Sequence, residues 1–435
     1  MDNNPLAPKK KAESQGFDAL LNRLDRFRSH LSWDHTFSAL RYRNYRLWFW
    51  GQMISLFGSW MQSTAQGFLV FQLTRSPAFL GYVGFAQGIP SWLFMLYGGV
   101  VADRIDRRTL LVITQSVMMI LAFVLAGLTF LHLVQPWHIV CLAVGLGAAN
   151  AFDAPARQAF VTEMVGREHL TNAIALNSTL FNTATALGPA VAGITYALFG
   201  PAWCFIINGI SFLAVIAALL SMSFGTRLQK SGRRNRTIDD LKEGIRYVRS
   251  HVMIRALIFM ILVMSLFGIS FATLIPAWAV KILRGDATTN GWLQSARGLG
   301  ALLSALLIAS LGRFRFKGRL LFLGAFSFPL LLAVFAFVRW MPLSLIVLMG
   351  VGFSTILVFN LCNSLVQTLV QDSLRGRVMG IYSLTFFGMV PIGSLLVGLS
   401  AELLSEPVAV VINASFMLIF SILIWALVPK LRRLE

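Results

Sequence analysis

Residues 99–108 read Gly-Val-Val-Ala-Asp-Arg-Ile-Asp-Arg-Arg, a charged stretch between two long apolar runs. The contrast is sharp in a chain of 435 residues, of which 13% are charged and 57% are hydrophobic, with a mean hydropathy of +0.71. Soluble domains carry about 25% charged residues, which their surfaces need in water. The composition therefore excludes an ordinary soluble enzyme and predicts an integral membrane protein.

Apolar runs continue outward from this stretch in both directions. A membrane-spanning helix needs about 20 mostly apolar residues. Backbone groups in lipid must be satisfied within each segment, and these runs are too long and too continuously apolar for β-barrel strands. We therefore predict an all-α integral membrane fold with twelve transmembrane helices: 48–71, 78–101, 110–131, 137–154, 173–197, 203–223, 256–280, 291–311, 320–338, 343–361, 379–400 and 408–428.

The basic residues, 37 Lys and Arg against 18 Asp and Glu, follow the predicted topology. With the N-terminus placed in the cytoplasm, 32 of them fall on the cytoplasmic side, four fall outside, and Arg297 lies within the eighth span. Cytoplasmic loops of membrane proteins are enriched in Lys and Arg. The pattern predicts a multi-pass protein of the inner (plasma) membrane with both termini in the cytoplasm, and it explains the net charge of +19 without nucleic acid as a partner.

The two halves of the chain resemble each other. Residues 165–196 align without gaps to 370–401, and other glycines pair at offsets of 205 or 210 residues. This repeat predicts two pseudo-symmetric six-helix bundles with a substrate site between them near mid-membrane. The paired glycines are Gly81 with Gly291, Gly88 with Gly298, Gly145 with Gly350, Gly147 with Gly352, Gly188 with Gly393, and Gly193 with Gly398.

These patterns divide the chain into five predicted parts. The bundles are expected at 48–224 and 256–429, each with six spans. Residues 1–47 form a cytoplasmic tail with an amphipathic basic helix suited to the inner leaflet or to the protein's own surface. Residues 225–255 form a cytoplasmic linker with a surface helix at Thr237–Arg249, and residues 430–435 form the cytoplasmic C-terminus.

The stretch at 99–108 resembles the signature loop of the major facilitator superfamily, Gly-x-x-x-Asp-Arg-x-Gly-Arg-Arg/Lys, with Asp106 in place of the usual glycine. Further stretches resemble the enterobactin-exporter-like and macrolide-efflux-like branch. The resemblance implies a twelve-helix exporter of bulky amphipathic compounds such as drugs or siderophores, driven by an ion gradient that is usually of protons. The stretches are 42–46, 58–60, 73–77, 153–158, 176–178 with 188–189, and more loosely 375–377.

Other functional classes remain as alternatives. A lysophospholipid flippase on the same scaffold is the main one, and a membrane enzyme or receptor is another. The chain has no P-loop and neither common hydrolase signature, so we expect no enzymatic activity. Its three cysteines lie far apart, which excludes a disulfide framework and a zinc site. We expect a monomer without cofactor or metal.

The signature loop is also a candidate gate on physical grounds. Adjacent glycines permit close helix approach, and Asp103 can face a helix N-terminus. Basic residues can form ion pairs that exist in one conformation and break in another. An ordinary positive-inside loop is the alternative. The predicted gating residues are Gly99, Asp103, Arg104, Arg107 and Arg108, with Gly98 beside them.

Acids that could carry protons are scarce. Proteins of the resembling branch often have Asp after the glycine of span 1, where this chain has Ser59. A proton carrier needs a titratable group that changes exposure. The candidates are Asp153, Glu163 and Asp103, although Asp153 and Arg157 stand four residues apart and could form a local ion pair instead.

Polar side chains inside the spans mark a candidate pathway. Lipid does not tolerate a polar stripe, so each stripe either lines the cavity or bonds to a neighbouring helix. Arg297 could contact an anionic group such as a carboxylate or phosphate, or could snorkel outward. Gly188, Pro189 and Gly193 predict a bend in span 5. The pathway candidates are Gln52, Ser55, Ser59, Gln62 and Gln66 in span 1, Arg297 in span 8, and Asn360 and Asn363, followed by Gln367, in span 10.

Overall fold

A computed structural model describes residues 37–223, 237–311 and 316–434, without the side chains of Leu96, Val100, Asp103, residues 237–241 and Arg433. The described chain holds helices and no strand. Its long helices are α1 (Arg43–Thr74), α2 (Pro77–Arg104), α3 (Arg107–Phe130), α4 (Pro136–Met164), α5 (Leu170–Phe199), α6 (Pro201–Leu220), α7 (Val252–Ile282), α8 (Ala287–Leu311), α9 (Lys317–Phe337), α10 (Met341–Leu369), α11 (Arg375–Leu403) and α12 (Glu406–Leu427).

The predicted all-α membrane fold is confirmed, and each predicted span coincides with one of these helices. Most ends agree to within a few residues, but α4 and α10 continue ten and eight residues past the predicted ends of their spans, 154 and 361. Within the described ranges, nine of the helices are long and apolar enough to cross a membrane by length and composition alone. The other three, α1, α2 and α5, are as long as these nine. In α1 the reason is visible in the sequence, because a row of glutamines and serines lowers its apolar content.

The predicted surface helix is present as Thr237–Ser250, here called the linker helix. It packs on α11, where the side chains of Glu243 and Arg377 form an ion pair with an N–O distance of 2.6 Å. The predicted tail helix and the rest of the N-terminal segment before residue 37 lie outside the described residues, as do residues 224–236. The side chains of Thr237 and Asp240, in which a capping box is predicted, are also not described.

Helices α1–α6 (the N half) and α7–α12 (the C half) pack in matching ways. In the N half α2 packs on α4, α3 on α4 and α6, and α1 on α6. In the C half α8 packs on α10, and α9 on α10 and α12. One helix departs from regularity: α7 changes from α-helix to a π-helical turn at Met264 and to 3-10 geometry at Ile269. Such changes inside a helix often mark functional hinges.

The glycines paired by the sequence repeat occupy equivalent contacts. A Cβ atom built on Gly81 would lie 2.7 Å from the carbonyl oxygen of Ser394, and one on Gly291 would lie 2.5 Å from that of Pro189. Ser394 and Pro189 are themselves 205 residues apart, the offset of the repeat. Because real Cβ atoms do not approach backbone so closely, these positions require glycine. The sequence repeat is therefore a repeat in helix packing.

The halves meet mainly at one end of the molecule. We call the end with the 99–108 stretch and the linker helix the basic end, and the opposite end the far end. Contacts between the halves join α2 to α11 and α5 to α8, mostly through the far-end parts of these helices. At the basic end, Cβ atoms on Gly99, Gly376 and Gly380 would meet no described atom within 4 Å. The structure is thus closed at the far end and more open at the basic end.

Candidate transport pathway and gates

Arg297 lies on α8, ten residues from its far-end start. At a rise of ~1.5 Å per residue this is about 15 Å along the helix, too deep for an ordinary loop charge. The side chain is half-buried, its Nε is buried without a hydrogen-bond partner, and no described carboxylate pairs with it. Burying a cation without a partner is unfavourable in free energy unless an anionic group pairs with it.

The repeat gives Arg297 a counterpart at Gln87 on α2, 210 residues earlier. A Cβ on Gly352 would lie 1.9 Å from the carbonyl oxygen of Arg297, and one on Gly147 would lie 2.0 Å from that of Gln87. Both residues are half-buried and precede a glycine at the contact between the halves, Gly298 and Gly88. The backbone at these two positions is therefore fixed in the same way, while the side chain is cationic in the C half alone.

The polar stripe of α1 is mainly buried in this conformation. Gln52, Ser55, Gln62 and Gln66 are buried, and Ser59 is half-buried. Asn208 of α6 donates a hydrogen bond of 2.6 Å from Nδ2 to Oε1 of Gln62. The stripe thus contributes at least one hydrogen bond between helices. Its role in lining the pathway stays a prediction, and Ser59 is the best candidate because it is the half-buried member.

The shorter stripe of α10 is more accessible. Asn360 is exposed and Asn363 is half-buried, in the part of α10 nearer the basic end. The amide of Gln367 donates a hydrogen bond to Oδ1 of Asn363. Amide side chains facing lipid would be unfavourable, so an exposed Asn at this depth favours a position beside the space between the halves.

Pro189 lies inside α5 at its contact with α8, and the predicted bend there stays a prediction. Proline lacks an N–H and frees the carbonyl four residues before it, which is that of Thr185. The freed carbonyl lies against Gly298, and the N–H of Ala190 donates a hydrogen bond of 2.8 Å to Oγ of Ser295. Gly193 lies against Gly291 on the same helix, and Gly188 lies against Trp60 of α1. Of the predicted segment, Pro189 and Gly193 therefore contact the other half, whereas Gly188 packs within its own half.

At the 99–108 stretch, the structure distinguishes the two glycines. Gly98 packs on α4, where a Cβ would lie 2.1 Å from the carbonyl oxygen of Ala151. The predicted close approach at Gly99 is not present in this conformation, where a Cβ would meet no described atom within 4 Å. Asp106, the departure from the family's glycine, caps α3: its Oδ2 accepts hydrogen bonds from the Thr109 N–H and hydroxyl.

The three arginines of this stretch differ in their contacts. Arg107 pairs with Glu163 at the end of α4, with an Nη1–Oε1 distance of 2.5 Å. Arg108 donates a hydrogen bond of 2.9 Å to the carbonyl of Leu220 in the last turn of α6, where a cation is favourable. Arg104 is exposed at the end of α2, and the side chain of Asp103 lies outside the description. The Arg107–Glu163 pair ties α3 to α4 at the basic end.

Asp153 is buried inside the N half, with 1% of its surface exposed. Its Oδ1 accepts hydrogen bonds from Thr114 (2.9 Å) and Gln115 (2.8 Å) of α3. Its Oδ2 lies 3.5 Å from Nε of Arg157 but accepts no hydrogen bond. One carboxylate oxygen is thus satisfied and the other retains capacity for a proton or a closer arginine.

The segment before α1 is anchored by the aromatic residues of the 42–46 stretch. Tyr42 donates a hydrogen bond of 3.0 Å to Glu168, and Tyr45 donates one of 2.8 Å to the carbonyl of Ala173. The pKa of the Glu168 carboxyl is lowered, first by hydrogen bonding to its own backbone N–H and then by Tyr42. This stretch fixes the basic end of α1 to the start of α5.

Several polar residues of the interior were not predicted from the sequence. Thr114, Gln115 and Asn208 lie in apolar runs and have no charge to mark them. Glu406 begins α12 rather than a loop, is 4% exposed, and lies 2.8 Å from Nζ of Lys281. Lys281 also lies 5.6 Å from the ring centre of Phe71 in the other half. Periodicity could indicate the buried faces, but not these partners.

Comparison with known proteins yields consistent similarities. A family model described as "Transmembrane secretion effector" matches residues 34–435. The staphyloferrin A transporter of Staphylococcus aureus (strain NCTC 8325 / PS 47) is 24% identical over 82% of this chain and 89% of its own length. The multidrug efflux pump Tap of Mycolicibacterium fortuitum is 25% identical over 87% and 94%.

Two further matches are more distant. Macrolide efflux protein A of Streptococcus pyogenes is 22% identical over 83% of this chain and 91% of its own length. Among solved structures, that of the nucleoside transporter NupG superposes with a TM-score of 0.69 at 14% identity, covering 89% of this chain and 98% of NupG. At that identity the match is evidence for the fold alone.

Proposed function

Because the chain belongs to the transmembrane secretion effector family of the major facilitator superfamily and is a multi-pass membrane transporter, we propose that it exports bulky amphipathic small molecules by alternating access. The observation that supports this most is the symmetric glycine packing between the halves at the far end. An interface of small residues can open and close as a unit, whereas the opposite end is already separated. The matching drug and siderophore transporters favour the same substrate class.

The proposed orientation places the basic end in the cytoplasm. The positive-inside rule supports it, since the 99–108 stretch, the linker helix and the 372–377 segment all lie at that end. The structure then corresponds to a state open to the cytoplasm, in the plasma membrane of a bacterium. In this orientation substrate enters between the basic ends of the two halves and leaves when the far end opens. We expect a monomer to be sufficient.

We further propose that Arg297 contacts substrate and selects compounds with a carboxylate or phosphate group. The support is its half-buried position, its unpartnered Nε and the lack of a carboxylate partner among the described residues. Hydrogen bonds to charged groups are worth about 1.5–3 kcal/mol in protein interiors. Neutral amphipaths would bind to the Gln and Asn side chains of the pathway, but with lower affinity.

Export is tested by a panel of dyes, macrolides and catechol siderophores in an efflux-deficient bacterial strain expressing this chain. We expect lower accumulation of at least one amphipath, and of anionic members more than neutral ones. A matched strain expressing Arg297→Glu is the control for the anionic members. Accumulation unchanged for the whole panel, together with transbilayer movement of lysophospholipid in proteoliposomes, would favour the flippase instead.

Proton antiport is the proposed energy source, and Asp153 is its proposed proton-binding group, with Glu163 and Asp103 as the other candidates. The Oδ2 of Asp153, which accepts no hydrogen bond, supports this choice. We expect Asp153→Asn to remove the stimulation of transport by a pH gradient while leaving downhill substrate flux within about threefold, because the amide keeps one acceptor for Thr114 and Gln115.

The measurement is substrate flux in proteoliposomes with and without an imposed pH gradient. Glu163→Gln is the matched variant, because the Glu163 carboxylate pairs with Arg107 at the surface of the basic end. If Asp153 binds the proton, Glu163→Gln should keep the stimulation by the pH gradient. Full gradient stimulation in Asp153→Asn would assign the residue to a structural ion pair with Arg157.

A further inference from the structure

Glu402, in the last turn of α11, contacts the start of α2 across the two halves. Its Oε2 accepts a hydrogen bond of 2.7 Å from the hydroxyl of Ser76 and one of 3.3 Å from the backbone N–H of Ala78. Ser76 is the N-cap residue of α2, and its side chain caps no N–H of its own helix. One free N–H of the first turn of α2, that of Ala78, is thus bonded by a carboxylate of the other half.

The position of Glu402 is unfavourable for its own helix. A negative charge in the last turn of a helix opposes the helix dipole, whereas the same charge at a helix N-terminus is stabilised. Glu402 is at the C-terminal end of α11 and at the N-terminal end of α2. The favourable part of its interaction therefore exists only while the two halves are together at the far end.

The repeat provides an internal comparison at the start of α8. The residue equivalent to Ser76 is Asp286, whose Oδ1 accepts hydrogen bonds from the N–H and hydroxyl of Thr289 within the C half. The residue equivalent to Glu402 on α5 is Ala197. There a groove of about 440 Å³ lies between the halves, lined in part by Ala197 and Asp286. One helix start is capped locally, and the other is capped across the halves.

We propose that Glu402 is a positioning residue of the transport cycle, which holds the far end closed by capping α2 and must leave that position each time substrate is released. This inference rests on the alternating access proposed above. It differs from a merely structural cap in a testable way, because a local cap on α2 would stabilise the helix without joining the halves.

The test measures opening of the far end directly, without transport. Ser394 is buried where α2 packs on α11, so a cysteine there reports separation of the two helices. The full-length chain carries Ser394→Cys after replacement of its native Cys141, Cys204 and Cys362. A membrane-impermeant maleimide is added to intact cells, and the labelling rate is compared among variants.

Glu402 is exposed and Gln keeps an acceptor oxygen, so we expect Glu402→Gln to raise the labelling rate about two- to fivefold through loss of the charge alone. Ser76→Ala should raise it less, and the double variant should add little to Glu402→Gln, because both changes break one contact. Asp286→Asn, the equivalent acid with partners in its own half, should leave the rate unchanged. An unchanged rate in Glu402→Gln would overturn the proposal.

A second variant distinguishes the proposed latch, the contact of Glu402 with Ser76 and Ala78 that holds the far end closed, from simple capping of α2. Ser76→Asp in the Glu402→Gln background gives α2 a local cap like that of α8. We expect labelling to stay fast; a return to the parental rate would show that Glu402 only stabilises α2. If Glu402→Gln does not accumulate in the membrane, the labelling rate of Ser76→Ala tests the proposal by itself. A labelling rate equal to that of the parental chain would then contradict the latch. Labelling that responds while no compound is exported would reject the proposed export and retain the latch.

Discussion

Replacing Arg297 by Glu is expected to lower transport of an anionic substrate at least about 100-fold, with the amount of protein in the membrane unchanged. The loss corresponds to about 2.8 kcal/mol, within the range for a charge-assisted hydrogen bond replaced by repulsion. Insertion should be unaffected, because Arg and acidic residues carry comparable costs at this depth. The measurement is initial efflux rate divided by membrane protein, with substrate concentration varied to separate KM from kcat.

Two variants control this experiment. Gln87→Glu places a carboxylate at the equivalent position of the N half and leaves Arg297 in place, so we expect normal insertion and retained transport. Arg297→Lys keeps the charge but not the planar guanidinium, and we expect intermediate activity. Wild-type transport by Arg297→Glu would exclude Arg297 from the pathway and favour a snorkelling arginine.

Leucine at Gly88 or Gly298 is expected to lower transport at least tenfold (about 1.4 kcal/mol or more against far-end closure). A Cβ on Gly88 would lie 2.1 Å from Cγ of Pro391, and one on Gly298 would lie 2.4 Å from the carbonyl oxygen of Thr185. Neither neighbour is the flexible end of a side chain, so the helices must separate. Since both contacts lie between the halves, each half should still fold.

The readouts are efflux and the maleimide labelling of the Ser394→Cys reporter, which should rise as transport falls. Gly127→Leu on α3 is the control, because a Cβ there would meet no described atom within 4 Å. Gly352→Leu gives a contrast: its contact with Arg297 lies within the C half, so we expect loss of stability. Normal transport in both Gly88→Leu and Gly298→Leu would show that this interface need not close.

The sequence predicts the helices of this fold well, because span length and apolar composition are set by the bilayer. It also predicts which glycines are equivalent, and the contacts of Gly81 and Gly291 bear this out. The exact function of each glycine is less accessible. Gly98 and Gly99 are indistinguishable in sequence, yet of the two only Gly98 packs on a described neighbouring helix, because adjacent residues of a helix face different sides.

The candidate site was predictable in part. A polar stripe shows which face of α1 avoids lipid, but the same pattern serves a pathway or a bond between helices, as Gln62 and Asn208 demonstrate. Arg297 stood out because its charge conflicts with its depth. Glu402 did not, since it lies at a helix end where acids are common, and its importance depends on which helix end meets it in space.

The most direct test of proton-coupled export is substrate efflux from proteoliposomes under a controlled gradient. We predict that an imposed pH gradient accelerates substrate movement against its concentration, that substrate addition releases protons in return, and that collapse of the pH gradient and membrane potential stops accumulation. Substrate flux that is unaffected by collapse of both gradients would contradict proton antiport, and with it the proposed export mechanism.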